Sequence, residues 1–305
     1  MAPPPSPYTL RTGIYAAIDP ESLNGSLQGQ NALITGSGRG IGRHIAIALA
    51  RAGANVCVTG RTANQVEATV ADIQSIGGNR QSGASGKVVG ITADILDRND
   101  QQRLLREFRS QLGPIDILIC NAGSNTFQPF HLTDPVEWWD ILELNLRAPV
   151  ELTRLALPEM RERNSGTIIY TSSRAAAPEL NLPWTTAYNC AKTGITKFAG
   201  TLQVELDQLS GMDNRNNGIS VFSIHPGEIE TDLHQTAFPE KTKLEAPYVI
   251  EHMAEIGKRR PHFEGELPAW TCVWLCSGRG VSLRGNFVDC TRDVEEQAQA
   301  VGKKA

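Results

Sequence analysis

Long apolar runs are missing from this 305-residue chain. No stretch approaches the roughly 18 residues that a membrane-spanning helix needs, so no membrane partner is expected. A basic excess is missing as well: 29 Lys and Arg stand against 33 Asp and Glu, a formal charge of -4. Nucleic-acid binding needs a cationic face for the phosphates, so nucleic acid is not expected as a main partner. The opening Met1-Ala-Pro-Pro-Pro-Ser-Pro7 lacks the basic-then-apolar order of a secretory signal and reads as an extended or disordered tail. The six cysteines, Cys57, Cys120, Cys190, Cys272, Cys276 and Cys290, show no metal-ligand spacing. Cys272 and Cys276 lie in a helical pattern without two further ligands at suitable spacing, so no metal is expected, and reduced thiols point to a cytoplasmic setting.

What the chain does have is alternation. Apolar runs of strand length occur at Ala32–Thr35, Val56–Thr59, Val88–Thr92, Ile115–Cys120, Thr167–Thr171, Ile219–Ile224 and Asn286–Val288. Most are continuous, the pattern of strands covered on both faces. Helical patterns fall between them, among them Ile41–Ala52 and Arg103–Gln111. Strand then helix, repeated, predicts an α/β fold: a single doubly wound Rossmann domain whose central parallel sheet has about seven strands, with helices on both faces. Ligands of such sheets bind at the carboxyl ends of the strands. The domain is expected over 29–291, after an N-terminal extension of 1–28 and before a tail of 292–305. Residues 77–86 read as a surface loop. Residues 232–266, rich in proline and charge, read as an insertion at the carboxyl edge and a substrate-lid candidate.

The first strand runs into Thr35-Gly36-Ser37-Gly38-Arg39-Gly40-Ile41-Gly42 and then a helix, the context of a dinucleotide-phosphate turn. Gly36 permits the sharp turn, Gly40 a close backbone approach to pyrophosphate, and Gly42 tight helix–strand packing. The second strand ends Thr59-Gly60-Arg61, so the slot where NAD enzymes carry an acid for the ribose hydroxyl is Gly60. Arg39 and Arg61 without that carboxylate suit a 2′-phosphate, hence NADP(H).

Further along, Tyr188 and Lys192 are one turn apart on an expected helix over Thr185–Leu209. A phenol with an ordinary pKa near 10 is a poor acid–base at neutral pH. A neighbouring ammonium and an oxidised nicotinamide both favour phenolate; a shift of about two to three units corresponds to ~3–4 kcal/mol. Ser173 ends the run Thr167–Ser173, where its hydroxyl can donate to a substrate oxygen; Ser172 is the alternative, pointing to the opposite side. Asn145 is polar within an apolar helical stretch, where a buried amide needs partners and can anchor a water linking Lys192 to solvent.

With the glycine turn, Cys120-Asn-Ala-Gly123, Ser173 and Tyr188-x-x-x-Lys192 in this order, the chain resembles the short-chain dehydrogenase/reductase family over roughly residues 28–291. The resemblance implies strand order 3-2-1-4-5-6-7, with Tyr188 as general acid/base and Lys192 binding the nicotinamide ribose and lowering the Tyr188 pKa. It implies Ser173 orienting the carbonyl and Asn145 holding a relay water. It also implies cofactor contacts from the turn residues Gly36, Ser37, Arg39, Gly40, Ile41 and Gly42, and from Arg61, Asp94, Ile95, Asn121, Ala122 and Gly123. In His225-Pro-Gly-Glu-Ile-Glu-Thr231 the contacts are Pro226, Gly227, Ile229 and Thr231. A homo-tetramer or homo-dimer is implied, pairing the helix that holds Tyr188 with its mate. His225 fills a slot often held by Asn or Ser. Fifteen positions separate Ser173 from Tyr188, against a usual thirteen, and Asp289-Cys290 replaces the usual Asp-Gly.

The substrate pocket is expected at Ser124, Phe127, Arg174, Pro178, Leu182, Trp184, Glu228 and Phe238. Mostly apolar walls favour a bulky, weakly polar carbonyl compound. The expectation is an NADP(H)-dependent oxidoreductase interconverting a ketone or aldehyde and an alcohol. The same site can serve imine or activated C=C reduction, or epimerisation; a non-catalytic NADP-binding regulator is the alternative outside enzyme chemistry.

Overall fold

Seven parallel strands form one sheet: β1 (Asn31–Thr35), β2 (Asn55–Gly60), β3 (Val88–Thr92), β4 (Ile117–Cys120), β5 (Gly166–Thr171), β6 (Ile219–His225) and β7 (Phe287–Asp289). Their order is β3-β2-β1-β4-β5-β6-β7, as the resemblance implied. The computed structural model describes residues 6–78, 86–177, 180–212, 216–230, 238–258 and 261–302. Every residue of β1 and of β4 is buried, which is why these runs lack polar alternation. In register, Leu33 lies between Cys57 and Leu118, and Ile169 between Ile119 and Phe222.

Successive strand residues feed opposite faces. Ala32, Ile34, Val56, Val58 and Ile119 pack with Ile45 and Leu49 of helix α1 (Gly40–Arg51) and with Trp270 and Val273 further along the chain. Leu33, Cys57, Leu118, Ile168 and Tyr170 pack on the other face with Leu104, Phe108, Leu152, Ile195 and Ala199. These come from α3 (Arg98–Leu112), α5 (Ala148–Arg163) and α6 (Thr186–Met212); α2 (Ala63–Gly78) and α4 (Pro135–Leu142) complete the helices up to α6. Helix starts follow capping chemistry: Asp97 accepts from the Asn99 and Asp100 amides, and Asp134 from those of Val136 and Glu137.

The structure adds detail to three of the expected segments. The 1–28 extension is built into the body from Tyr8 onward. Leu10 bridges Arg292, the Arg11 guanidinium holds Asp293 (2.7 Å), and Thr9 bonds Glu296. After a 3-10 turn at Ala16–Ile18, the side chains of Ile18, Leu23 and Leu27 are fully buried in the same core as Trp270. The 292–305 tail contains a helix, Val294–Gly302. Within 232–266 the described residues form two helices, α7 (Glu240–Glu245) and α8 (Pro247–Lys258), and Glu266 already belongs to α9 (Glu266–Cys276), leaving α10 for Val294–Gly302. Helix α9 is buried at every position from Leu267 to Cys276, which explains the apolar setting of Cys272 and Cys276. Most of the surface loop expected at 77–86 falls outside the described residues. Among the described residues no helix is long and apolar enough to cross a membrane.

Candidate active site

A cleft of about 720 Å³ opens along the carboxyl ends of β1 to β6. Its floor at β1 is the glycine turn, where Gly36 (φ 66°) and Gly40 (φ 53°) adopt the left-handed backbone open to glycine. A Cβ on Gly42 would run into the Gly36 carbonyl and stand 2.5 Å from Asn121 Nδ2. The start of α1 is thus pressed against both β1 and the segment after β4. Thr35 Oγ1 accepts from the amides of Asn121 and Ala122, and Asn121 Nδ2 donates to the carbonyls of Thr35 and Gly36. Ser37 is corrected: it is fully buried and lies away from the cleft wall. Its hydroxyl donates to the Ile34 carbonyl and accepts from the Thr59 amide, locking the turn to β2. Gly38 takes its place in the wall.

Gly36, Arg39, Gly40, Ile41, Gly42, Arg61, Asp94, Ile95, Asn121, Ala122 and Gly123 all line the cleft, together with Thr62 and Gln65, which the sequence reading missed. Arg39 caps α1 and Arg61 follows β2 at the same end. The Asp94 carboxylate accepts from the Leu96 amide. Pro226, Gly227, Glu228 and Ile229 form the wall after β6; Thr231 lies outside the described residues. The glycine cradle at the start of α1 fits the pyrophosphate of a dinucleotide.

The four residues of the tetrad converge at the middle of the cleft. Tyr188 and Lys192 share a face of α6, with Lys192 Nζ 5.3 Å from the phenol ring centre. The Ser173 side chain lies close enough to the Tyr188 phenol to act on its proton affinity. Ser172 is buried, its hydroxyl engaged by Thr196 (2.5 Å) and the Lys192 carbonyl, so strand alternation leaves Ser173 toward Tyr188. Lys192 Nζ donates to the Thr171 carbonyl (2.6 Å). Asn145 sits in a π-helical turn, Glu143–Arg147, between α4 and α5. That widened turn lets its Nδ2 donate to both Ile141 and Ser124 carbonyls, while its buried Oδ1 has no partner within the protein. A Cβ on Gly123 would meet that Oδ1 at 2.6 Å and Lys192 Nζ at 3.6 Å. Oδ1 and Nζ therefore flank one point, suited to a bridging water.

Electrostatics departs from expectation here. Burial raises the Tyr188 phenol above its ordinary value, opposed by the neighbouring Ser173 side chain. Burial lowers the Lys192 ammonium to about 7, opposed by Cys120. In the protein by itself, desolvation outweighs the mutual help of phenol and ammonium that the resemblance implied.

The outer half of the cleft is lined by Ser124, Phe127, Arg174, Leu182 and Glu228, and by Asn125, Leu144, Leu180, Pro183, Met253 and Ile256. Trp184 and Phe238 are corrected: they stand behind the wall, in a satellite cluster with Phe127, Leu132, Val249 and Met253. Because α6 begins only at Thr186, Trp184 is not a turn above Tyr188. It takes a left-handed backbone (φ 61°) and packs edge-on against His252 and Tyr248 of α8. Pro178 lies outside the described residues. Met253 and Ile256 went unread because the sequence reads 232–266 whole as an insertion and not as helices.

The family model for short chain dehydrogenase matches residues 30–242. A short chain dehydrogenase of Pseudocercospora fijiensis is 34% identical over 94% of this chain and 89% of its own length. Human dehydrogenase/reductase SDR family member 4 is 32% identical over 84% of each chain. A ketoacyl reductase of Nostoc is 31% identical over 73% of this chain and 70% of its own.

Proposed function

The chain belongs to the short-chain dehydrogenase family, and from that premise we propose that it is an NADP(H)-dependent reductase of ketones or aldehydes, able to run in reverse. One observation carries the reading. A phenol, beside Ser173 and one turn from a buried lysine, lines the same cleft as the glycine turn. Arg39 and Arg61, with Gly60 in the acid slot, support NADP(H) over NAD(H). The relative named a ketoacyl reductase supports a carbonyl acceptor.

When bound, the reduced dinucleotide supplies a hydride to the carbonyl carbon. The chain's own residues handle the rest. Ser173 donates to the carbonyl oxygen and polarises it. Tyr188, kept protonated by burial, gives its proton to that oxygen as negative charge develops, yielding the alcohol. Lys192 stabilises the phenolate left behind, and a water held at Asn145 Oδ1 returns a proton through Lys192. The mainly apolar outer wall selects a bulky, weakly polar substrate. A dimer or tetramer is the working assembly that accompanies this reading.

Stopped-flow oxidation of NADPH and NADH with a ketone panel tests it. Tyr188→Phe is expected to lower turnover by ~10²-fold or more with NADPH still bound. Unchanged turnover in that variant, or equal use of NADH, contradicts the corresponding part of the proposal.

A further inference from the structure

Ser173 depends for its aim on backbone that lies just past the end of the sheet. The last bond joining β5's exit to β6 runs from the Ser172 amide to the Ile224 carbonyl (2.8 Å). One residue further on β6, the carbonyl of His225 is turned the other way and accepts from Cys290 beyond β7 (2.9 Å). That is the ordinary alternation of a parallel strand, so the carbonyl offers nothing to β5. Past the Ser172 bond it is the His225 side chain that serves β5: Nδ1 accepts from the Arg174 amide (3.2 Å). The imidazole is buried, 4% exposed, at the cleft wall. With Nδ1 accepting, the neutral ring carries its proton on Nε2.

Ser173 is therefore held from both sides. Its predecessor's amide is tied to the β6 backbone and its successor's amide to a β6 side chain. The Ser173 hydroxyl also accepts from the Ala175 amide (3.1 Å), so the start of the 3-10 turn Arg174–Ala176 and the hydroxyl move together. We propose that His225 is a positioning residue: through the Arg174 amide it extends the β5–β6 ladder by one bond and sets the direction in which Ser173 presents its hydroxyl. This rests on the carbonyl-reductase reading for its kinetic consequence, and on geometry alone for the bond itself.

The test compares three replacements. Asparagine places Oδ1 where histidine has Nδ1, so His225→Asn keeps an acceptor for the Arg174 amide. His225→Leu fills similar space without one, and His225→Ser carries a hydroxyl too short to reach. His225→Asn is expected to keep kcat within about threefold, while His225→Leu and His225→Ser lose about tenfold or more, with the NADPH Kd unchanged, since a small misalignment of a substrate-orienting group acts on turnover. Hydrogen exchange of the peptide spanning residues 172–177 reads the same bond without turnover. Protection is kept in His225→Asn and lost in the other two. Should His225→Leu fail to fold, His225→Ser against His225→Asn decides. Equal kcat and equal exchange in the acceptor-bearing and acceptor-free variants overturn the proposal. If the native chain oxidises no NADPH with ketones but exchange follows the acceptor, the carbonyl reading alone falls and the positioning bond stands.

Discussion

Lys192 sits in surroundings far from its ordinary chemistry. It is buried beside Tyr188 with one hydrogen bond to the Thr171 carbonyl, and burial lowers it to about 7 from an ordinary 10.5. The folded chain therefore favours neutral lysine, and between about pH 7 and 10.5 the unfolded chain holds more protons at this site. Stability from this residue rises with pH through that window and is lost as pH falls toward 7. Lys192→Met removes the proton linkage. Melting temperatures of cofactor-free protein between pH 7 and 10 are expected to climb less steeply in that variant than in the native chain; parallel curves contradict the assignment. The same desolvation explains why the tetrad was legible in sequence while its electrostatics was not. Spacing shows that Tyr188 and Lys192 share a face, but not that Cys120, Thr171 and the π-turn at Asn145 seal Lys192 from water.

At the scale of elements, legibility follows burial. The strands were readable because both faces are covered, so their runs are continuously apolar; even the short β7 was found from Asn286–Val288. Helix α6 was readable through its long periodicity, and its start shifted by one residue because capping, not hydrophobicity, sets a boundary. The N-terminal segment was missed for the opposite reason. Leu23 and Leu27 are four apart, but one such pair is too short a pattern to mark a packed segment, and the partners of Ile18, Leu23 and Leu27, Trp270 of α9 and the β1 face, lie far along the chain. Its charged contacts, Arg11 to Asp293 and Thr9 to Glu296, are equally distant in sequence. The segment acts as a strap across the root of α10. Deleting residues 2–18 removes Ile18 and Tyr15, whose burial is worth about 2–4 kcal/mol together. The denaturation midpoint should fall accordingly, with the cofactor end of the cleft intact and NADPH affinity kept. An unshifted midpoint would mean that the strap contributes nothing to the body.

For the whole molecule, the sheet edge supplies a rigid half of the cleft and α7–α8 a second half of different character. The sheet half is tied by the β ladder and two large cores. The other half rests on the small cluster of Phe127, Leu132, Ala246 and Val249, with Trp184, Phe238 and Met253 around it. One further tie is a bond from Thr242 Oγ1 to the Phe127 carbonyl (3.2 Å). Among the described residues this unit buries little apolar contact, and we propose that it opens at lower free energy than the sheet, as a lid does. The Trp184 ring packs against His252 at 5.0 Å, and its carbonyl accepts from the Gln128 amide (2.7 Å), joining the loop before α6 to α8 and to the Phe127 segment. Trp184→Ala removes the ring and leaves Met253 and Ile256 poorly held over the outer cleft, while the glycine turn and tetrad keep their own ties. The expected outcome is a KM for bulky ketones raised by about tenfold, since the lost lid contact is one of hydrophobic burial worth about 1–2 kcal/mol. A small carbonyl that does not reach α8 should show an unchanged KM, and the NADPH Kd should hold. If large and small substrates lose affinity together, Trp184 supports the active site as a whole and α7–α8 is not a separable lid.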